Sequence, residues 1–336
     1  MLLAICLGAG FARATPDGPA PPPGYVDRSG LSELIFWQGV NGLIAGGFLG
    51  TALFGKTIQR ECIEDDGTAA TPVEQNKSCT AAVARGGAIP VVGLAAGLSL
   101  PFLLTRDKAV KTGDVILINR ATMIGAMHGL ILPFVAGADP SDPDDFLLTG
   151  GLAFTGDVAG LGLGVYLARI HDFDPGKMSF LGTLHFATFL AAISVGSSIP
   201  EHNSKDDQRI IEGLSLGLAD VALLVALTQF DKIDIGRHRV FWLDTGGVIG
   251  MLGGTAMGAL IGGDEERVVA IGGAVGMAAG LLLTYWSTTG DEKYRNRHEF
   301  SVAGIDFDAP TVGLAPRQTQ DGIELGLSFD VLRGRF

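Results

Sequence analysis

GGVIGMLGGTAMGALIGG, residues 246–263, is the stretch on which the fold turns. Glycine steps through it in fours, at Gly246, Gly250, Gly254, Gly258 and Gly262. A stride of four stacks successive residues along one face of an α-helix. In water such a helix is poor, because each interior glycine costs about 1 kcal/mol against alanine. A face of small residues is useful where two helices meet backbone to backbone, as they do in membranes. The stride recurs at Gly42, Gly46 and Gly50; Gly93 and Gly97; Gly125 and Gly129; Gly156, Gly160 and Gly164; Gly213 and Gly217; and Gly272, Gly276 and Gly280. The pattern predicts an all-α, membrane-type helical bundle packed through glycine faces.

Outward from that stretch, apolar segments run over residues 31–54, 86–105, 114–136, 147–168, 178–198, 208–229, 238–262 and 267–288. Each is about 20 residues, enough to cross about 30 Å of hydrocarbon at about 1.5 Å per residue. They read as four repeated helical hairpins, eight helices in all, within a domain over 30–290. The repeats are 30–107, 112–171, 175–234 and 236–290. The second segments align as GLAAGLSLPFLLT from Gly93, GDVAGLGLGVYLA from Gly156, GLADVALLVALTQ from Gly217 and GMAAGLLLTYWST from Gly276. The third hairpin has lost most of its glycines around Leu181, keeping small residues at Gly182, Ala187 and Ala191.

The flanks differ in character. Residues 1–14, MLLAICLGAGFARA, resemble a secretory signal peptide ending in Ala12-Arg13-Ala14, although a basic n-region is missing. Residues 15–29 are a proline-rich extended linker. The tail, 299–336, alternates apolar and polar residues in GIELGLSFDVL from Gly322, with FSVAGIDF from Phe300 as partner. This is the pattern of a half-buried strand, so a short C-terminal β hairpin is expected. Its end, Gly334-Arg335-Phe336, resembles the closing strand of an outer-membrane β-barrel. A barrel is therefore one alternative for the whole chain. Against it, the glycines step by four rather than two, and aromatic girdles cannot be built from 4 Tyr and 3 Trp. A soluble helical array is the other alternative, kept open by a mean hydropathy of only +0.35.

Charge and cysteine usage narrow the function. A net charge of −12, without a basic patch, excludes nucleic acid as a partner. The expected partners are membrane lipid, a further copy of the chain or another envelope protein. Lys and Arg concentrate in the loops 105–114, 169–177 and 230–239, which places both termini in the cytoplasm if eight spans are counted. A cleaved leader places the N-terminus outside instead. The acidic linker and the alternating tail tip the reading towards an exported protein of a bacterial cell-envelope membrane, inner or outer. Cys62 and Cys79 share one polar loop, where they either close a small disulfide loop or remain two free thiols.

The ionisable residues within the apolar segments form the candidate site. Asp157 and Asp220 lie mid-segment, where a carboxylate is expensive and by default a functional hypothesis. Asp244 and Arg120 sit at comparable depths, as a structural pair or with Arg120 reaching to the interface. His128 and His185 lie deep in odd-numbered segments, where packing through a hydrogen bond is the ordinary role. The sequence lacks HExxH, GxSxG and CxxC motifs, and the glycine-rich run 150–164 lacks a P-loop lysine. Catalysis, a cofactor and a bound metal are therefore not expected. The preferred reading is a non-enzymatic membrane protein with a structural or scaffolding role. The alternative is a channel or transporter whose polar path is lined by Asp157 and Asp220.

Overall fold

A computed structural model describes residues 30–62, 72–105, 109–139, 142–198, 204–263 and 265–289, with backbone alone for parts of 299–330. Among the residues with described side chains the protein is all-helical, with eight α-helices. They are α1 (Leu31–Cys62), α2 (Pro72–Leu104), α3 (Thr112–Val135), α4 (Phe146–Ile170), α5 (Pro175–Ser197), α6 (Lys205–Thr228), α7 (Arg237–Gly262) and α8 (Glu266–Thr288). The strand alternative fails here: the segments that a barrel would extend and ladder are helices. The expected leader, 1–14, and linker, 15–29, lie outside the described residues. So do the side chains of the tail, 299–336.

Seven of the helices, α2 to α8, are long and apolar enough to cross a membrane. The expected eighth, α1, is not among them. Gln38 and Asn41 interrupt its apolar run, and Lys56 and Arg60 end it. The first hairpin also departs from its expected outline. Its apolar segments stop at residue 54 and resume at residue 86, yet α1 continues to Cys62 and α2 begins at Pro72. Polar residues there end the apolar run without ending the helix, so hydropathy alone understates both lengths.

Local chemistry explains several helix ends. Asp174 caps α5 by accepting from the Lys177 backbone N–H, with Pro175 in the first turn. Ser204 and Asp207 form a reciprocal capping box at the start of α6. Gly263 closes α7 with a φ of 58°, a conformation that costs glycine little.

The chain divides into two compact units, broken after Ile170. In the unit containing α1 to α4, Gly42 of α1 faces Gly93 of α2, and Gly125 of α3 faces Gly156 of α4. A Cβ added to any of these four would lie within 3.0 Å of the opposing glycine's carbonyl oxygen. Pro90, inside α2, lies against Gly46 in the same seam. Across the unit α1 meets α4, with Gly55 against Phe146 and Gly150 against Phe48 and Ala52. Leu34, Val115 and Ile118 form an apolar core beside Leu161 and Val165. At the other end Lys56 hydrogen-bonds the Asp144 carboxylate in the turn before α4. That bond, with the charge of Asp144, raises the Lys56 pKa above its ordinary value.

In the unit containing α5 to α8, α7 and α8 repeat the close seam. Gly246 faces Gly280, Gly250 faces Gly276, and Gly254 faces Gly272. The opening stretch of sequence therefore supplies one side of this contact. The α5–α6 hairpin is built differently. Gly217 was expected on a packing face, yet a Cβ there would meet nothing within 4 Å. Gly196 instead faces the Ile211 side chain. Here side chains fill the interhelical space, which is why the helices need no bare backbone strip.

Candidate functional site

In hydrocarbon a polar side chain must find a partner within the protein. The structure shows how each candidate is met. Asp220, on α6, lies 3.1 Å from Nε2 of His185 on α5, and that histidine is only 1% exposed. Two side chains 35 residues apart in sequence thus meet in one hairpin, the histidine buried and the carboxylate partly exposed. Asp244, on α7, accepts from the Thr183 hydroxyl of α5 at 2.6 Å. His128, on α3, uses Nδ1 to bond the Ile124 carbonyl of its own helix at 2.8 Å. This engages the ring with its own turn of helix. Arg120, on α3, is half-buried.

Asp157, on α4, is the exception. It is 6% exposed, and among the described residues it has no hydrogen-bond or ion-pair partner. Asp157 belongs to the first unit and Asp220 to the second. Arg120 and Asp244 are likewise in different units. Each unit therefore has its own polar group.

The structure adds residues that sequence reasoning missed. Gln38 of α1 donates to Asn119 of α3 at 2.9 Å. Nδ2 of Asn41, one turn further along α1, is buried and lacks a partner. The signal was available, since both interrupt an apolar run. In the second unit Nε1 of Trp242 donates to Nε2 of His238 at 2.9 Å, and His238 is 2% exposed. Arg239 bridges α7 to the end of α8, donating to Thr288, Thr289 and the Tyr285 carbonyl, with its guanidinium over the Tyr285 ring.

Cys62 and Cys79 are joined by a disulfide, with their Cα atoms 4.9 Å apart. It ties the end of α1 to the start of α2. Among the described residues no group of three or more His, Cys, Asp or Glu gathers as a metal would require. A cleft of about 370 Å³ opens beside Met251, Thr255 and Ala270 in the second unit. One of about 420 Å³ opens beside Gly50, Pro90 and Phe146 in the first. Neither is lined by Asp157, His185 or Asp220.

Seven helices long and apolar enough to cross a membrane define a class: a protein with the helices of an integral membrane bundle. Comparison with protein-family models, curated proteins and solved structures finds no match for the chain.

Proposed function

We propose that this is a non-enzymatic integral membrane protein of the cell envelope, acting as a structural scaffold. The observation that carries the reading is the backbone-to-backbone seam at Gly42–Gly93, Gly125–Gly156 and Gly250–Gly276. Helices held that closely by main chain have little room to slide, which suits a rigid support better than a moving carrier. The four hairpins, three of them glycine-faced, are read as copies of one unit. The polar segment between Cys62 and Cys79, fastened at its base by the disulfide, is the first docking place for an envelope partner. The tail over 299–336 is the second. The first 14 residues serve as the export signal.

A photo-reactive amino acid placed between Cys62 and Cys79 in intact cells should give one discrete protein adduct. Absence of any adduct there, together with solute flux through reconstituted liposomes, would overturn the scaffold. The transporter reading draws on the depth of Asp157 and Asp220. It requires a flux that the double substitution Asp157→Asn, Asp220→Asn abolishes. No flux, or one that persists in the double variant, removes it.

A further inference from the structure

The helix positions around Asp157 converge on a residue that the sequence did not single out. Gly55 meets Phe146 while Gly150 meets Phe48 and Ala52, so α1 and α4 run antiparallel. Asp157 follows Gly150 by seven residues, two helical turns or about 10 Å, and returns to the same face within about 20°. Asn41 precedes Phe48 by the same seven residues on α1. Asp157 and Asn41 therefore lie on facing stripes at one level of the unit. Both are anomalies in that layer. Asp157 is 6% exposed and has no partner among the described residues, and Nδ2 of Asn41 is buried without one.

Among the described side chains the rest of the layer offers no charge to balance a negative one. On its other side Asp157 adjoins the seam where Gly156 and Gly160 meet Gly125 and Ala121 of α3. Residues 121–125 of α3 and 41–45 of α1 include no ionisable side chain. Thr122 spends its hydroxyl on the Ile118 carbonyl at 2.8 Å. The ionisable groups of α1 are Glu33, Lys56, Arg60 and Glu61, all at least two turns away along the helix. Those of α3 are Asp114, Arg120 and His128, with Arg120 and His128 flanking the layer from below and above. On α4 itself the others are Tyr166, on the opposite side of the helix from Asp157, and Arg169.

We infer that Asp157, with Asn41 opposite it, is a proton-binding site inside the helix bundle. The inference rests on the membrane reading of α4. An isolated carboxylate at that depth needs a positive charge beside it. An alkali ion would need a fuller ring of oxygen ligands to replace its water. One carboxyl and one carboxamide are too few for that ring, and the Gln38 and Asn119 carboxamides a turn away are bonded to each other. They are sufficient for a proton, because the carboxamide can accept from the acid or donate to its anion.

The test is labelling of native membranes with a lipid-soluble carbodiimide, read by mass spectrometry of the peptide that contains Asp157. The carboxyl proton passes to a carbodiimide nitrogen as the carboxyl oxygen adds to the central carbon. The adduct then rearranges to a stable N-acylurea, and nothing leaves. Asp157 should be labelled in mildly acid, sodium-free buffer, with labelling falling about tenfold per pH unit above its midpoint. Added sodium should not protect it. Asp157→Asn should remove the label, with the helical circular dichroism of the wild type as its folding control. Asn41→Leu should keep the label but move the pH of half-labelling. No label at Asp157, or protection by sodium, would overturn the proton site. An unmoved midpoint in N41L would overturn the part given to Asn41. Equal labelling by a water-soluble carbodiimide would refute the membrane depth itself, separating that failure from failure of the site.

Discussion

Gly250→Ala and Gly253→Ala make a matched pair within α7. At Gly250 the new methyl would fall within 3.0 Å of the Gly276 carbonyl oxygen, with the Gly280 Cα close behind. Both are main-chain atoms of α8, so no flexible side chain can give way. Ordinary van der Waals contact begins at 3.4 Å, so the helices must part along the seam. Overpacking of this kind costs about 1–3 kcal/mol. Alanine returns about 1 kcal/mol through helix propensity. The net expectation for G250A is therefore a loss of about 0–2 kcal/mol. At Gly253 the methyl enters open space, so only the propensity gain remains, up to about 1 kcal/mol. The same holds for Gly217→Ala on α6. Thermal unfolding in detergent, followed by circular dichroism, should place G250A below wild type and G253A and G217A at or above it. If G250A melted with G253A, the close seam would not be what holds α7 to α8.

The remaining expectations concern particular contacts. Asp220→Ala should lower stability by about 1–3 kcal/mol in the same melt, because it deprives the buried His185 of a hydrogen-bond partner. Asp206→Ala, which loses an exposed pairing with Arg209, should change it by less than about 1 kcal/mol. Reducing the Cys62–Cys79 bond, which spans 17 residues, should cost about 3 kcal/mol, visible as a lower melting temperature and slower gel migration. The raised Lys56 pKa means that its bond to Asp144 contributes fully below the ordinary lysine value of 10.5. That contribution is lost as pH rises through the higher folded value. Alkaline titration of isotopically labelled lysines by NMR should therefore show Lys56 as a late titrator, and Asp144→Asn should bring it back towards the others.

Much of the architecture was legible because glycine spacing reports on helix geometry directly. The stride of four in 246–263 requires one face, and that face proved to be the seam with α8. The same reasoning failed at Gly217, since spacing reveals a face but not whether a neighbour lies against it. Helix lengths were misjudged at 56–85 because hydropathy marks where the apolar run ends, and the helices continue past that point. In α1 the reverse occurred, with Gln38 and Asn41 passing unremarked inside an apolar run although they weaken it as a span. The candidate carboxylates were visible by depth alone. Their fates were not, because His185 and Asp220 meet only when a hairpin closes. The lack of a partner at Asp157 likewise depends on every side chain of three helices.

The account depends most on the helices lying within lipid. Washing isolated membranes with alkaline carbonate, then sedimenting them, measures this directly, because the treatment strips peripheral proteins and leaves spanning ones. The full chain should remain wholly in the lipid pellet. Its recovery in the supernatant would contradict the account.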